Sequence, residues 1–220
     1  MKRSLLILAA LAVAAPLLFG QQKAPDNTRK PRLFAPQDLG LLEPPDREAL
    51  QKPDQVMDAL HVADSTVVAD LGAGGGWFTV RLARRVGPNG KVYALDVQRL
   101  MIEAIRRRVQ REGYQNVEAV LGDDDDPRIP AAARMDAVLI VDAFHEMRNP
   151  VVLLQNVART LKPMGRIGII DYLPGEGGPG PGPEERVPTS VVVSEAAAAG
   201  LKLVEQHTFL PYQYFLIFGR

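Results

Sequence analysis

Apolar residues recur along the chain with two different periods, and the two alternate from about residue 46 onward. Short apolar or alternating runs predict β-strands, and segments with apolar residues three or four positions apart predict helices. Their alternation predicts a parallel sheet with helices on both faces. The predicted strands are 66–71, 91–95, 117–121, 135–141, 165–171, 201–206 and 212–218, and the predicted helices are 46–61 (interrupted near Pro53), 77–86, 98–112, 150–161 and 188–199.

The last two predicted strands lie only a few residues apart, with Pro211 between them. A parallel pair needs a crossover of about a dozen residues or more, so these two strands must pair antiparallel. We therefore predict a Rossmann-like, doubly wound, seven-stranded α/β sheet. It is mostly parallel and ends in an antiparallel C-terminal hairpin.

The N-terminus has the pattern of an export signal. Lys2 and Arg3 precede an apolar run from Leu5 to Phe19, and a basic start before a short apolar stretch is typical of a signal peptide. A membrane span needs about 20 apolar residues, more than this run offers. The chain thus divides into a signal peptide (1–20), a proline-rich linker or arm (21–45) and one α/β domain (46–220).

We expect the chain to be exported, either to the periplasm or out of the cell, with no stable membrane span after cleavage. An uncleaved anchor is the alternative, and it would place the domain on the same side of the membrane because the positive end stays inside. If the start of the chain is misassigned, a cytoplasmic location follows instead.

Composition narrows the chemistry. Lys and Arg together number 26, as do Asp and Glu, so the formal net charge is zero. A nucleic-acid partner would require a basic face, and we expect no such partner. The chain contains no Cys, which excludes disulfides, a zinc–thiolate site and a thiol nucleophile. The oligomeric state cannot be predicted from these features.

The strongest motif is a glycine-rich loop, Asp70-Leu71-Gly72-Ala73-Gly74-Gly75-Gly76, between the first strand and the next helix. Glycines permit a sharp turn and a close approach of a ligand to the backbone. The helix N-terminus that follows offers free N–H groups. A dinucleotide fingerprint counted from Gly72 needs its third glycine at position 77, where Trp77 stands. The spacing therefore argues against a dinucleotide site.

Acidic residues follow the neighbouring strands. Asp96 ends the second strand, at about the 20-residue spacing that places a carboxylate on ribose hydroxyls in nucleotide-binding folds. Four consecutive aspartates, 123–126, follow the third strand. They lack the alternating spacing and distal Glu of an EF-hand calcium loop.

The D-x-G-x-G-x-G loop resembles the first motif of the class I S-adenosylmethionine-dependent methyltransferases. The stretch Leu161-Lys162-Pro163-Met164-Gly165-Arg166 resembles the turn before the fifth strand in relatives of the quinone-biosynthesis enzymes, as in methyltransferases of types 11 and 25; Met164 replaces a glycine there. The resemblance extends over 46–220. It implies S-adenosyl-L-methionine as cofactor, and it implies the antiparallel end of the sheet.

The resemblance also implies a role for each matching position. Asp96 would bind both ribose hydroxyls, Asp123 or Asp124 would approach the adenine amino group, and Asp142 would border the site of methyl transfer. The residues that would surround the methionine part of the cofactor are Asp70, Gly72, Ala73, Gly74 and Gly76.

His145 and Asp142 are the candidate catalytic residues. The unperturbed pKa of histidine lies near neutrality, so His145 could accept a proton from an acceptor that must lose one. The alternative is that His145 and Glu146 cap or orient their loop. Metal-dependent relatives place acids where Asp142 and Asp171 stand but follow the second with Asn, whereas this chain has Tyr172. We therefore predict no metal.

These inferences predict a methyltransferase acting on a small-molecule acceptor. One alternative is a non-catalytic or repurposed module that binds a nucleoside-like ligand outside the cytosol. The other is a protein methyltransferase, because proteins with this fold differ widely in function. The acceptor and the methylated atom stay open.

Overall fold

A computed structural model describes residues 32–175 and 177–220. The predicted signal peptide and the first part of the predicted arm lie outside these residues. Among the helices that are described, none has the length and apolar character needed to cross a membrane.

The sheet has seven strands in the order β3-β2-β1-β4-β5-β7-β6. The strands β1 to β5 run parallel to one another, and β7 pairs antiparallel with both β5 and β6. This arrangement confirms the predicted fold, including the hairpin at the end. The strands are β1 (Val67–Leu71), β2 (Lys91–Asp96), β3 (Val117–Leu121), β4 (Met135–Val141), β5 (Leu161–Tyr172), β6 (Lys202–His207) and β7 (Gln213–Gly219).

Helices cover both faces of the sheet because the central strands are apolar on both sides. Buried residues of α2 and α3 pack with Val68 and Leu139 on one face, and those of α5 and α6 pack with Val138 and Ile140 on the other. The helix α4 packs over β2 and β3. The helices are α1 (Arg47–Gln51), α2 (Pro53–Ala59), α3 (Trp77–Val86), α4 (Arg99–Glu112), α5 (Pro150–Thr160) and α6 (Thr189–Ala198).

Two segments differ from the sequence prediction. The arm contains a 3₁₀ helix at Pro36–Leu42 that its proline-rich composition did not indicate. The strand β5 begins at Leu161 rather than Gly165, because Leu161 pairs with Met135 before a register shift. The stretch read as a turn is therefore the irregular start of this strand.

The strand order reverses between β1 and β4, since the chain moves outward through β2 and β3 and then returns. In open α/β sheets a ligand crevice forms at such a reversal, at the carboxyl ends of the strands. The β1–β2 register pairs Leu71 with Leu95, so the glycine loop and Asp96 emerge side by side. Asp142 follows β4 at the same edge.

Gly72 lets the loop after β1 meet the loop after β4. Its φ is +76°, and a Cβ built on it would lie 2.4 Å from the Cβ of Ala143. Gly113, the C-cap of α4, has an almost identical φ of +77° but no atom within 4 Å of such a Cβ. Comparison of Gly72 with Gly113 therefore distinguishes the energetic cost of left-handed backbone from the additional cost of a steric clash.

We expect Gly113→Ala to lower the free energy of unfolding by about 1–2 kcal/mol, the usual cost of placing a Cβ in left-handed backbone. Gly72→Ala should cost a further ~1–3 kcal/mol, because two loops must also move apart. Urea or thermal unfolding of both variants measures the difference. Equal losses would show that the approach of the loops imposes no constraint.

Candidate active site

The glycine loop holds the carboxylate of Asp96. The loop turns with positive φ at Gly72, Gly74 and Gly76. This conformation directs the backbone N–H of Gly74 onto Oδ2 of Asp96 at 3.0 Å, and Gln98 N–H donates to Oδ1 at 2.9 Å. Each carboxylate oxygen therefore has at least one backbone donor and keeps further acceptor capacity.

Asp96 is ready to accept hydrogen bonds from a ligand. It is 8% exposed, lines the cavity described below, and has no salt bridge within the described residues. Burial raises its pKa, opposed by the backbone hydrogen bonds. A buried carboxylate with free lone pairs suits two adjacent hydroxyl donors such as those of a ribose.

The other predicted residues of the loop divide into two groups. Gly72, Ala73 and Gly74 line the cavity. Gly76 is the N-cap of α3, and Asp70 lies beneath the loop, where Thr79 Oγ1 donates to its Oδ2 at 2.6 Å. Burial raises the pKa of Asp70 to about 6. Within the described chain neither residue is part of the cavity wall, so both support the loop from behind.

Asp123 and Asp124 line the cavity beyond β3. Asp123 accepts the backbone N–H groups of Asp125 and Asp126 and pairs with Arg128 at 2.9 Å, and these bonds lower its pKa. Asp124 has an exposed ion pair with Arg148 at 3.5 Å. Asp123 is thus engaged by its own turn, and Asp124 is the more available acceptor at this end.

Asp142 joins three parts of the chain. Its side chain accepts hydrogen bonds from Gln51 of α1 at 2.7 Å, from the hydroxyl of Tyr172 at 3.3 Å, and from Gln213 of β7. Burial, and next the negative charge of Asp171, raise its pKa to about 6. Its φ of +53° is unusual for a residue with a side chain, and such strain persists only where surrounding contacts hold it.

His145 is anchored by Asp171, which is fully buried. Its Nδ1 lies 2.9 Å from Oδ1 of Asp171, and its backbone N–H donates to Oδ2 at 2.9 Å. Burial opposes protonation, but the hydrogen bond and charge of Asp171 outweigh it and raise the pKa of His145. These contacts orient the loop, which is the alternative role of His145. Its Nε2 lies 3.7 Å from Oε1 of Glu146, and both residues line the cavity.

Glu146 is a cavity residue to which the sequence analysis gave only a capping role. Its Oε2 accepts the backbone N–H of Phe34 at 3.1 Å, and Gln98 donates to the carbonyl of Phe34 at 2.9 Å. Burial raises the pKa of Glu146 to about 7. Two residues of the domain thus hold both backbone groups of one arm residue.

The arm lies across the glycine loop. A Cβ built on Gly75 would lie 3.0 Å from the side chain of Leu39, and one on Gly74 would lie 3.6 Å from that of Leu42. These distances place the 3₁₀ helix directly on the loop. The segment 33–45, which the sequence predicted to be a linker or arm, therefore forms one wall of the cavity.

The enclosed space has a volume of about 550 Å³, within the range of small-molecule sites. The cavity is lined by the arm, by the ends of β1 to β5, and by a glycine–proline loop after β5 (177–183). No group of three or more potential metal-ligating side chains occurs among the described residues. Members of the wall from the different segments include Phe34, Leu42, Arg47, Gln51, Gly74, Asp96, Asp124, Asp142, His145, Glu146, Tyr172, Pro181 and Gln213.

Comparison with known proteins identifies the segment that carries this site. Residues 68–165 match the methyltransferase domain family. The matched segment runs from β1 into β5 and includes the glycine loop, Asp96, Asp142 and His145. The arm, Tyr172 and Gln213 lie outside it.

Curated relatives agree with this match. Nocamycin O-methyltransferase of Saccharothrix syringae is 32% identical over 126 residues, 54% of this chain and 42% of that protein. Demethylmenaquinone methyltransferase of Anoxybacillus flavithermus is 30% identical over 111 residues, 50% of this chain and 46% of that protein. Protein-L-isoaspartate O-methyltransferases are also similar. The chain spans less than half the length of these relatives.

A solved structure matches a larger share of the chain. The S-adenosylmethionine-dependent methyltransferase of Aquifex aeolicus superposes with a TM-score of 0.79 at 28% identity, covering 84% of this chain and 98% of that one. The family match and this structure support S-adenosylmethionine as the cofactor. The residues present fit it: a glycine loop for close approach, and Asp96 with free acceptor capacity.

Proposed function

We propose that this chain is an S-adenosylmethionine-dependent methyltransferase that acts on a small-molecule acceptor. The observation that carries the proposal is Asp96, a buried carboxylate fixed by Gly74 and Gln98 with lone pairs left for a ligand. The cofactor would supply an electrophilic methyl group on a sulfonium. The residues of the chain would bind the cofactor, orient the acceptor, exclude water from the site and accept a proton from the acceptor.

Positioning is the first contribution of the chain. Methyl displacement depends on alignment of the reacting atoms, and fixed geometry supplies much of the rate in such reactions. Asp96 and the glycine loop would hold the nucleoside. Asp142, held by Gln51, Tyr172 and Gln213, fixes the wall after β4 where the acceptor would meet the methyl group.

His145 is the residue that could accept a proton. With Nδ1 donating to Asp171, a neutral imidazole carries its free lone pair on Nε2, and His145 lines the cavity. Because Asp171 raises the pKa of His145, the neutral form dominates only above the usual range of histidine. A base role therefore favours turnover that increases with pH.

The enclosure of the cavity favours a small acceptor over a protein. Arg186 ties the glycine–proline loop over the site by donating to the carbonyls of Pro179, Pro181 and Leu173. The arm covers the opposite side. A folded protein substrate would have to displace one of these two segments. The alternative of a protein substrate is supported by the similarity to protein-L-isoaspartate O-methyltransferases.

A non-catalytic ligand-binding module is the other alternative. The geometry of Asp96 would serve a nucleoside ligand in either case, so binding alone does not distinguish them. The His145–Asp171 pair at the acceptor side favours an enzyme, because a binding module has no need of an oriented base.

Export remains a proposal, supported by the basic start and the apolar run 5–19. We expect the full chain with a C-terminal epitope tag to appear outside the cytosol after cell fractionation. Lys2→Glu with Arg3→Glu should retain it inside, since the basic start directs insertion. A wild-type chain found in the cytosol would contradict export.

Asp96→Asn should weaken binding of S-adenosylmethionine by roughly 10- to 100-fold, because hydrogen bonds to a charged acceptor contribute about 1.5–3 kcal/mol. Calorimetry on the folded chain measures this. Asp54→Asn, at an exposed aspartate that pairs with Arg85, is the control and should bind normally. Failure of the folded wild type to bind would refute the proposed function.

His145→Ala should lower methyl transfer by about 10²–10⁴-fold, the usual contribution of a positioned base, while leaving cofactor affinity unchanged. Radiolabelled methyl transfer to the first acceptor found by screening measures the rate. His61→Asn, at an exposed histidine, is the matched control. Undiminished transfer would remove His145 from the chemistry and leave it with the orientation of its loop.

A further inference from the structure

Glu146 lies between the arm and the loop that follows β4. Its Oε2 accepts the backbone N–H of Phe34 at 3.1 Å, and its Oε1 lies 3.7 Å from Nε2 of His145. The side chain is 18% exposed. The side chain of Gln98, after β2, donates to the carbonyl of the same Phe34 at 2.9 Å. One residue of the arm is therefore held by the loops that follow two different strands.

The arm held in this way lies against the two residues that fix Asp96. Gly74 and Gln98 donate backbone hydrogen bonds to that carboxylate. The side chain of Gln98 also binds Phe34. The side chain of Leu42 lies 3.6 Å from a Cβ built on Gly74. A ligand that reaches Asp96 therefore lies between the arm and the edge of the sheet, and it has to pass the arm to enter or leave.

The two ends of the arm are attached by groups of different chemistry. After the 3₁₀ helix, Glu43 pairs with Arg108 of α4 at 2.5 Å, and an arginine keeps its charge at every working pH. Before the 3₁₀ helix the attachment is Glu146, whose ion-pair partner within the described residues is His145. A histidine loses its charge near neutrality. The attachment at Phe34 is therefore the one that a change of pH can loosen.

Burial is the main influence on the charge of Glu146, and it raises the pKa of this carboxyl to about 7. The negative charges of Asp96, at the end of β2, and Asp171, on β5, raise this pKa further. The hydrogen bond from Phe34 and the charge of His145 lower it. Withdrawal of the arm would expose the carboxyl and return its pKa toward the usual range of glutamate. The closed arm therefore binds the proton more tightly than the open arm.

The direction of the pH effect follows from this difference. Closure of the arm is most stable below the open-arm pKa, and it weakens as the pH rises to the closed-arm pKa of about 7. A protonated carboxyl keeps an oxygen that accepts the N–H of Phe34, so the hydrogen bond survives protonation. At higher pH the closed arm would instead bury a charge, which is costly.

We propose that Glu146 is a positioning residue that holds the arm over the bound cofactor when it is protonated and releases the arm when it is ionised. Exchange of the cofactor then becomes faster as the pH rises. The part that concerns the cofactor rests on the proposed function. The part that concerns the arm does not, because the contacts of Phe34 are present in the free protein.

Hydrogen exchange at the amide of Phe34 tests the attachment directly, because Glu146 accepts this N–H. Division of the intrinsic exchange rate at each pH by the measured rate gives a protection factor that follows local opening. In the wild type this factor should fall by about tenfold or more between about pH 5.5 and 8.5. A tenfold difference in proton affinity between the closed and open arm changes the closure equilibrium by about that amount.

Three variants identify the titrating group. Glu146→Gln keeps an oxygen that can accept the N–H of Phe34 but cannot ionise, so its protection factor should vary less than about twofold over the same range. Gln98→Met removes the donor to the carbonyl of Phe34, so protection should be lower at every pH but should keep the wild-type dependence on pH. Glu103→Gln, at an exposed carboxylate of α4, should behave as the wild type does.

Release of radiolabelled S-adenosylhomocysteine into excess unlabelled ligand tests the consequence for the cofactor. Release from the wild type should become about tenfold faster or more over this pH range, and release from Glu146→Gln should change less than about twofold. Equal acceleration in both proteins would overturn the inference. So would a wild-type protection factor at Phe34 that does not change with pH, or a folded Glu146→Gln variant that keeps the wild-type change.

The wild-type pH series decides the question if Glu146→Gln lacks a normal thermal transition, since it needs no variant. Failure of the folded wild type to bind S-adenosylhomocysteine, with protection of Phe34 that still falls as the pH rises, would refute the proposed function and support the attachment of the arm by Glu146. The two failures are therefore distinguishable.

Discussion

The hydrogen bond from Gly74 N–H to Asp96 is the contact on which the site depends. It exists because β1 and β2 end in register and because the loop after β1 can adopt positive φ. It fixes a carboxylate that would otherwise be costly to bury. The same loop conformation brings Gly72 against Ala143, which places the segment with Asp142 and His145 at the same edge. The glycine loop thus fixes both Asp96, on the proposed cofactor side of the cavity, and the segment after β4, on the proposed acceptor side.

The arm and the edge of the sheet together form the wall of the cavity. Phe34 is held through its backbone by Glu146 and Gln98, and Gln51 is held by Asp142. These contacts join the arm and α1 to residues that line the cavity, so the arm and α1 form the cavity wall together with the edge of the sheet. The cavity wall therefore includes residues beyond the matched segment 68–165.

The fold could be predicted from sequence because its signals are local. Apolar periodicity fixed the strands and helices, and the short link around Pro211 required an antiparallel end. Asp96 was found from its spacing to the glycine loop. Gln51, Gln213 and Arg47 could not be found, because they reach the site from distant parts of the chain and no local pattern marks them. The 3₁₀ helix of the arm was missed for a related reason: its position is set by Leu39 and Leu42 packing on the loop.

The central claim is that S-adenosylmethionine lies along the carboxyl edge of the sheet with its ribose on Asp96. A crystal structure of the chain with S-adenosylhomocysteine tests it most directly. The account predicts both ribose hydroxyls within hydrogen-bond distance of Asp96 and the glycine loop against the amino-acid part of the ligand. A ligand bound elsewhere, or one whose ribose does not contact Asp96, would contradict the account.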